Sequence, residues 1–547
     1  MKNHVTLLTI LLLAAMSCNA QIEAPESLIT DENVEKHIKV LASDAFLGRK
    51  PGTIGEEKTI HYIKSQLEEF KVLPANKGSY FQEFKIQKVK SSNCSNMTIN
   101  FENETSDYSF QKDFYAKTTY KLDETIDVKG VEMVYAGFGI VAPQFGWDDY
   151  KDIDVKGKVV VVLFSDPGYH SKDPKLFKGE NPTYYAGVKY KKKEAAKRGA
   201  IGLVMIHDDA IDWEAVKDDS DAPNFIEGQP QLASDNLKFS GLISKRLAND
   251  LFKNSDYYSN YIEKALSKAF SPYPLKAKVS LSLSATYEDV MRTKNVVGMI
   301  KGAKRPDEYV LYTAHWDHVG FRAGHIGNDS IFNGAIDNAS GTAMQLEVAR
   351  AFSKLEKKPE RTILFLFTSA EEMGLFGAEH YANNPLYPLN KTACVINADA
   401  SFAVDKMRMV INVIESHTEM DTIVNMAASK LGREIVQTKG EKLPGNVFQR
   451  SDHYPFVKKG VPAVWNVGNF DPLSGDKKEE EKIMTFVTTH YHKVTDEFYD
   501  GFNCANITFD AQLNFLTGLE LANSTAWPNW NEGSEYKIVR DKSMSNN

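Results

Sequence analysis

YVLYTAHWDHVG (309–320), TILFLFTSAEE (362–372) and TACVINAD (392–399) are three apolar runs that each end in histidine or carboxylate residues. The apolar part of each run is short, rich in β-branched and aromatic residues and apolar on both faces, which is typical of buried strands in a parallel sheet. Between the first two lies NASGTAMQLEVARAFSKL (338–355), whose apolar residues recur at helical spacing behind an Asn or Ser cap. This order predicts an α/β fold with a mostly parallel, mixed central sheet flanked by helices.

Charged side chains follow each predicted strand at the point where it ends. The first run ends in His315 and Asp317, the second in Glu371 and Glu372, and the third in Asp399. The carboxyl ends of parallel strands meet at one edge of the sheet, where ligands bind in such folds. Carboxylates gathered there repel one another unless a cation lies between them. Imidazole mixed with carboxylate and without cysteine favours zinc, with manganese or cobalt as substitutes.

Two further segments extend this set. Asp337 lies in the loop ahead of the predicted helix. Near the C-terminus, THYHKVTDEF (489–498) follows a predicted strand, KIMTFVT (482–488), and offers two histidines. Of these, His492 is favoured over His490 by its spacing to a following aspartate. The expected cluster thus gains one carboxylate and one imidazole.

Five ligands can be drawn from these positions, namely His315, Asp337, Glu372, Asp399 and His492. Five are too many for one tetrahedral zinc ion and suit two metals about 3.5–4 Å apart that share one carboxylate. Glu371 is then left without a metal, and an unligated carboxylate beside the metals is what a general base requires. The other histidines of these regions are expected to be structural: His318, His325, His380 and His453.

Five separated motifs carry a resemblance to a known family: AHWDHVG (314–320), GAIDNASG (334–341), SAEEMGLFGAEHY (369–381), NADAS (397–401) and YHKVTDE (491–497). In this order they resemble the co-catalytic di-zinc aminopeptidases, whose relatives include glutamate carboxypeptidase, transferrin receptor and glutaminyl cyclase. The resemblance implies that Asp337 bridges two zinc ions. It further implies that Glu372 and His492 hold one ion and that His315 and Asp399 hold the other.

The same resemblance assigns roles beyond the metals. It implies that Asp317 hydrogen-bonds to His315 and orients that imidazole, and that Glu371 is the catalytic base. NADAS departs from the family's frequent Asn-Leu-Asp-Met, although the ligand aspartate is kept. The segment FQRSDHYPFVKKGVPAVWNVG (448–468) resembles the part that lines the substrate cleft, and it offers three candidate substrate contacts: Arg450, Ser451 and Asp452.

Two helical patterns open the folded part of the chain. Apolar residues recur at four and three from Thr30 to Leu41, and again at helical spacing over 55–70, with a turn at GRKPG (48–52) between them. This pair resembles the opening of the peptidase fold named above. The peptidase domain is then expected to be discontinuous, over residues 21–85 and 285–540.

The insertion between those two parts, residues 86–284, is β-rich. It resembles a protease-associated (PA) domain, in which a helix, KYKKKEAAKRGA (189–200), leads into a core strand, IGLVMIH (201–207). We expect the insertion to cover or shape the substrate site without chemistry of its own. The Lys and Arg residues at 189–198 are expected to form a solvated helix face.

Residues Met1–Ala20 are predicted to be a signal peptide. Lys2 precedes an apolar stretch, Val5 to Ala15, which ends in small residues and is too short to span a bilayer. The sequence AAMSC places Cys18 where a bacterial lipoprotein would be cleaved and acylated, and cleavage after Ala20 is the alternative. We expect an exported protein that is periplasmic, outer-membrane-anchored or extracellular, with membrane contact only through that lipid.

Length and composition limit the class of protein to which this chain can belong. The 547 residues exceed the size of one hydrophobic core and allow two or three domains, and 42% apolar and 25% charged residues are ordinary for a globular protein. The net charge is −8 and Lys and Arg are dispersed, so nucleic acid is not an expected partner. Beyond Cys18, the three cysteines Cys94, Cys394 and Cys504 allow at most one disulfide, and none is indicated as catalytic.

These observations predict a metallo-aminopeptidase that hydrolyses the N-terminal bonds of peptide substrates with two zinc ions and Glu371 as base. Within the enzyme class the alternative is a carboxypeptidase or dipeptidase on the same metals. That enzyme needs a cationic pocket for the substrate carboxylate, for which Arg450 is the candidate. The alternative from another class is a catalytically inactive, receptor-like binding protein, which is expected to have lost ligands that this chain keeps.

Overall fold

In the computed structural model of the protein, the described residues are 24–118, 123–177, 179–180, 182–208, 213, 224–227, 237–253, 260–322, 329–414, 418–436 and 444–545. The predicted signal peptide with Cys18 lies outside these ranges, and so does His325. Among the helices of the described ranges, none combines the length and the apolar character that a membrane span requires.

The strands of the described residues are β1 (Leu73–Pro74), β2 (Phe81–Cys94), β3 (Met97–Phe101), β4 (Thr105–Tyr108), β5 (Phe114–Lys117), β6 (Thr125–Tyr135), β7 (Val141–Ala142), β8 (Trp147–Asp148), β9 (Val159–Leu163), β10 (Gly202–Ile206), β11 (Asn224–Glu227), β12 (Phe239–Ile243), β13 (Tyr273–Ile300), β14 (Arg305–His315), β15 (Gly320–Phe321), β16 (Ile331–Phe332), β17 (Arg361–Thr368), β18 (Thr392–Asn397), β19 (Met407–Asn412), β20 (Glu434–Ile435) and β21 (Ala463–Pro472). The α-helices are α1 (Asp31–Leu41), α2 (Ile54–Glu69), α3 (Pro167–Ser171), α4 (Val188–Lys197), α5 (Lys245–Lys253), α6 (Tyr261–Ala265), α7 (Gly341–Lys354), α8 (Phe376–Asn383), α9 (Met420–Lys430), α10 (His453–Val457), α11 (Lys478–Thr485), α12 (Ala505–Asn523) and α13 (Lys537–Ser545). Two π-helical turns are formed by Ala335–Ser340 and Phe486–His490.

The centre of the fold is a parallel sheet of four strands in the order β17, β14, β18, β21. Strand β13 extends it antiparallel to β17, and β19 lies antiparallel to β21 at the other side, with β20 parallel to β19. The three apolar runs form β14, β17 and β18, so the predicted mostly parallel, mixed sheet is confirmed. Every residue of β17 and β18 is buried, as expected for strands that carry structure on both faces.

Helices cover both faces of the sheet, and the sheet separates two hydrophobic cores. Along β14, Val310 and Tyr312 belong to one hydrophobic core, whereas Tyr309 and Leu311 belong to the other. This alternation is that of a strand buried on both faces. Helices α1, α7 and α12 pack together and supply the first core, and α8 and α10 supply the second.

The predicted helix at 338–355 forms α7, which begins at Gly341 after a π-helical turn. Ser340 occupies the N-cap position without a side-chain hydrogen bond, and Asn338, two residues earlier, accepts the Gly341 N–H through its Oδ1 at 2.9 Å. Met344 and Phe352 are buried in the core beneath the sheet. The capped start of α7 therefore lies beside the carboxyl edge, where Asp337 precedes it.

The predicted strand KIMTFVT (482–488) is wrong, because this segment belongs to α11 and to the π-helical turn after it. Glutamates occupy the first turn of α11, where the helix dipole favours negative charge. Ile483 and Phe486 are buried three residues apart, whereas Met484 and Val487 are exposed. This helical spacing outweighs the β-branched and aromatic composition that suggested a strand.

The inserted region has β-structure of its own. Strands β6, β9, β10 and β12 are parallel neighbours, and α4 leads into β10 as predicted. Its buried apolar residues form separate cores. The long strand β13 joins the two parts of the chain, since it pairs with β6, β3 and β2 and then with β17. The resemblance to a protease-associated domain and the boundaries at 86–284 stay predictions.

The expectation of a solvated face on α4 is wrong for one lysine. Lys191 is fully buried, and its ammonium donates hydrogen bonds to the carbonyls of Leu163, at 2.7 Å, and Ser165. Burial lowers the pKa of Lys191 to about 7, against Asp149 and Asp166, which raise it. Because α4 packs on the parallel strands, this side chain points into the core and finds its partners at the end of β9.

Replacing Lys191 with methionine is expected to remove a pH-dependent part of the stability. Between pH about 7 and the ordinary pKa of 10.5, the unfolded chain binds a proton that folded Lys191 does not. The free energy of unfolding therefore rises with pH, by up to ~1.4 kcal/mol per pH unit. Urea unfolding across this range should show a steeper rise for the natural chain than for Lys191→Met. Lys193→Met, on the exposed side of the same helix, is the control, and equal slopes in all three proteins would contradict the assignment.

Candidate active site

Each predicted ligand lies just beyond a regular element at the carboxyl edge of the sheet. His315 is the last residue of β14, Asp399 follows β18, and Glu372 lies in the turn after β17. Asp337 lies in the π-helical turn before α7, and His492 follows the second π-helical turn. Strands β14 and β17 stay in register to their last residues, so these side chains start from neighbouring positions.

Asp337 stands at the centre of the cluster. Its Oδ1 lies 3.4 Å from His315 Nε2, and its Oδ2 lies 3.1 Å from His492 Nε2. The two oxygens of this buried carboxylate therefore face two different groups of side chains, which is the arrangement that a bridging ligand needs. Asp496 fixes the backbone here, because its carboxylate accepts the N–H groups of Ile336 and Asp337 at 2.9 and 3.0 Å.

His315 and Asp399 lie on one side of Asp337. His315 Nε2 is 3.3 Å from Asp399 Oδ1, and one donor atom from each of the three residues lies within 4.8 Å of the other two. Asp399 is held from behind, since its Oδ2 accepts a hydrogen bond from Ser451 Oγ and its carbonyl accepts one from Trp465 Nε1 at 3.0 Å. This side offers one imidazole and two carboxylates to a cation.

Glu372 and His492 lie on the other side of Asp337, together with a residue that the sequence did not indicate. Glu372 Oε2 is 2.9 Å from His492 Nε2, and Glu372 Oε1 is 2.6 Å from His318 Nδ1. Donor atoms of His318, Asp337 and Glu372 also lie within 4.8 Å of one another. His318, expected to be structural, is therefore part of the cluster. The AHWDHVG motif contains it, but sequence spacing does not show which way its ring turns.

Among the described residues, three other histidines that the sequence singled out make their contacts outside the cluster. His490 Nδ1 contacts Thr495 Oγ1 at 2.8 Å, so His492 is the one of this pair that reaches the cluster. Two others have structural contacts, as expected: His380 stacks on Phe84, and His453 Nε2 lies within hydrogen-bond distance of the Phe448 carbonyl, at 2.8 Å.

The charges of the cluster depend on one another. Although burial acts to raise it, the neighbouring imidazoles of His315 and His492 hold the pKa of Asp337 well below its ordinary value. Burial acts against protonation of His492, but Asp337 and Glu372 outweigh it and raise its pKa to about 10. The carboxylates therefore favour protonation of the imidazoles that lie between them. A bound metal would replace these protons.

The donor set fits zinc. His492 Nε2 is buried and close to two carboxylate oxygens, yet it makes no well-directed hydrogen bond to a described residue. The nitrogen and those oxygens therefore point toward a common position between them, as ligands of one metal ion would. Imidazole nitrogens with carboxylate oxygens and no thiolate suit zinc, and also manganese or cobalt.

The predicted orienting role of Asp317 needs a correction. His315 Nδ1 lies 3.1 Å from the main-chain oxygen of Asp317 but 3.9 Å from its carboxylate. The peptide carbonyl therefore orients the imidazole, because only it lies within hydrogen-bond distance. The carboxylate instead accepts the Glu371 N–H at 3.1 Å. Asp317 thus ties the glutamate-bearing turn to the end of β14.

Glu371 lies beside the cluster in the same turn as Glu372. Ala370, with a left-handed φ of 57°, bends the chain at the end of β17. Burial raises the pKa of Glu371 well above its ordinary value, His315 opposes this effect, and Asp399 reinforces it. Glu372, the next residue, contacts His318 and His492 on the other side of Asp337.

The three predicted substrate contacts lie in different surroundings. Ser451 and Asp452 are fully buried. Ser451 Oγ accepts a hydrogen bond from Asn397 Nδ2 at 2.7 Å, and Asp452 Oδ2 accepts one from Thr368 Oγ1. Ser451 also donates to Asp399, whereas Asp452 is bound to the end of β17, and neither buried side chain offers a surface to substrate. Arg450 is exposed, and its predicted contact with substrate stays a prediction.

Residues 295–507 match the family model for peptidase family M28. Over 147 residues the chain is 35% identical to Aminopeptidase NAALADL1 of Mus musculus, covering 25% of this chain and 18% of that protein. Over 209 residues it is 31% identical to the Glutamate carboxypeptidase 2 homolog of Caenorhabditis elegans, covering 33% of this chain and 25% of that protein. The chain thus spans a quarter or less of the length of these curated relatives.

A solved structure extends over more of the chain. The aminopeptidase from Aneurinibacillus sp. strain AM-1 aligns with 92% of this chain and 96% of its own, at 18% identity and a TM-score of 0.47. Every predicted ligand, together with Glu371, falls inside the segment that matches the family model. The part of this chain between residues 295 and 507 is therefore a domain of peptidase family M28, as the five motifs predicted.

Proposed function

We propose that this protein is a zinc-dependent exopeptidase that removes residues from the N-terminus of peptides. The observation that carries the proposal is the Asp337 carboxylate, whose two oxygens face His315 and His492. A two-metal peptidase needs such a shared carboxylate, and Asp399 and Glu372 complete the two sides. The similarity of the chain to proteins named aminopeptidase and glutamate carboxypeptidase supports an exopeptidase.

The chain's own residues would position the reactants and move the proton. Bound zinc ions would polarise the scissile carbonyl and lower the pKa of the attacking water. Glu371 would accept a proton from that water and return it to the leaving amine. His315 is oriented by the Asp317 carbonyl, and Asp399 is held by Ser451. Such supports keep donor atoms in place during the reaction.

The base must be ionised before it can accept a proton. In the cluster without metal, burial raises the pKa of Glu371 well above its ordinary value. The positive charge of two dications acts in the opposite direction and favours the carboxylate form. Metal binding would therefore both complete the site and prepare its base.

A carboxypeptidase or dipeptidase on the same site is the second candidate. The exposed side chain of Arg450, next to the support residue Ser451, would suit the carboxylate of a substrate. Substrate polarity separates the two enzymes, because an aminopeptidase binds a free amine and a carboxypeptidase binds a free carboxylate.

A turnover screen with zinc removed and restored tests the proposal. Aminoacyl substrates with a blocked C-terminus should be cleaved, with loss of activity on chelation and recovery on addition of zinc. Cleavage restricted to substrates with a free C-terminal carboxylate would favour the second candidate. A zinc-loaded protein that cleaves neither kind would instead support the receptor-like alternative.

We further propose that the protein is exported and anchored by a lipid on Cys18, a residue outside the described ranges. The motivation is AAMSC at the end of the apolar stretch. Cys18→Ala is expected to move the protein from the membrane fraction to the released fraction, if the lipid is the anchor. Identical fractionation of the two forms would favour cleavage after Ala20 without lipidation.

A further inference from the structure

Arg49 lies inside the protein with 1% of its surface exposed, yet it has no place in the chemistry described above. Its Nε donates to the Trp316 carbonyl and its Nη2 to the Gly334 carbonyl, both at 2.9 Å. Its Nη1 donates to the carbonyls of Leu41, at 2.9 Å, and Asn333. One guanidinium thus binds main-chain oxygens from three separate segments.

Two of these segments carry predicted metal ligands. Trp316 follows His315 directly, and Gly334 precedes Asp337 by three positions. Because Nε and Nη2 belong to one planar group, Arg49 fixes the distance between the end of β14 and the turn before α7. That distance decides whether the His315 imidazole and the Asp337 carboxylate face each other.

The backbone around Arg49 is shaped for this position. Leu47, Gly48 and Arg49 have left-handed φ values of 50°, 64° and 52°, which are unfavourable for residues other than glycine. A Cβ at Gly48 would lie 2.4 Å from the Phe332 oxygen and 2.6 Å from the Gly320 oxygen. Only glycine therefore lets this turn approach the β15–β16 hairpin so closely. Gly48 and Arg49 are therefore buried, although Lys50, the next residue, is exposed.

The charge of Arg49 also acts on the site. Burial lowers the pKa of Arg49 to about 10, although the nearby carboxylates of Asp496, Asp337 and Asp317 act to raise it. The guanidinium therefore stays protonated at neutral pH. Near a group of buried carboxylates, such a cation offsets part of their mutual repulsion while no metal is bound.

We propose that Arg49 is a positioning residue, which holds the loops bearing His315 and Asp337 in their metal-binding arrangement before metal enters. The structural basis of this inference is the four hydrogen bonds from Arg49 to main-chain carbonyls. That these bonds serve metal binding rests on the proposed two-metal function. Groups that orient metal ligands from outside typically contribute about 10- to 100-fold to metal affinity.

The test compares Arg49→Lys with a matched control, Arg540→Lys. Lysine keeps the positive charge but lacks the planar fork that reaches several carbonyls at once. Arg540 is also buried, and it donates to the carbonyls of Leu389 and Thr392, which lie outside the ligand loops. Chelator competition should show zinc binding weakened about 10- to 100-fold in Arg49→Lys and unchanged in Arg540→Lys. Equal zinc affinity in the two variants would overturn the inference.

Hydrogen–deuterium exchange gives a second readout that does not depend on activity, and its first measurement needs only the natural chain. In the metal-free natural chain, the amides of residues 315–318 and 333–337 should be protected, and Arg49→Lys should expose them while Arg540→Lys should not. Rapid exchange of both loops in the metal-free natural chain would overturn the inference, since nothing would then hold them before metal binds. If the natural chain binds no zinc, but its loops are protected and become exposed in Arg49→Lys and not in Arg540→Lys, the proposed function fails and positioning by Arg49 is supported.

Discussion

Glu371→Gln is expected to lower kcat roughly 100- to 10,000-fold, the usual contribution of a positioned general base. Glutamine keeps the size of the side chain but cannot accept a proton, so the attacking water loses its acceptor. The zinc content should not change, because the close contacts of Asp337 are made by His315 and His492 and not by Glu371. Steady-state kinetics on an aminoacyl substrate and elemental analysis of the same preparation measure both quantities.

Glu372→Gln is the matched contrast, one residue further along the chain. Glu372 lies 2.6 Å from His318 Nδ1 and 2.9 Å from His492 Nε2. Its amide replacement should therefore weaken one metal site, and excess zinc should restore part of the activity. The opposite pattern, with metal lost from Glu371→Gln and kept by Glu372→Gln, would mean that base and ligand are exchanged.

Asp337→Ala is expected to remove both metals and reduce turnover to background. Each oxygen of this carboxylate faces a different imidazole, at 3.4 and 3.1 Å. Neither side keeps its donor set without it, so excess zinc should not restore activity, unlike in Glu372→Gln. Elemental analysis should show zinc falling from about two ions per chain to nearly none.

Asp471→Ala is the control for that experiment. Asp471 is half-buried and its carboxylate pairs with Arg408 at 3.1 Å, apart from the predicted ligands. This variant should keep its metal and its activity. A full zinc load in Asp337→Ala would rule out the bridging role, whatever the activity of the variant.

Strand positions were predictable because they leave a local signature. The runs that form β14, β17 and β18 are short, apolar on both faces and rich in residues that favour strands. The segment 482–488 has a similar composition, yet burial of Ile483 and Phe486 against the rest of the fold makes it helical. The prediction that Lys191 is solvated was wrong for a comparable reason. Its burial depends on strands that come from elsewhere in the chain, and the local sequence of the helix does not show them.

Sequence patterns alone determined the parallel sheet and the identity of most residues at its edge, including His315, Glu372 and Asp399. Parallel topology brings the carboxyl ends of strands together however far apart they lie in the chain. The residues after each strand therefore identify the chemistry of the site before any distance is known.

Only the tertiary structure decided how those side chains are aimed and held. It placed His318 against Glu372, used the carbonyl of Asp317 in place of its carboxylate, and set Arg49 against Trp316, 267 positions away. A hydrogen bond depends on distance and direction in space. Those quantities depend on how distant segments pack, so the spacing of residues along the chain does not encode them.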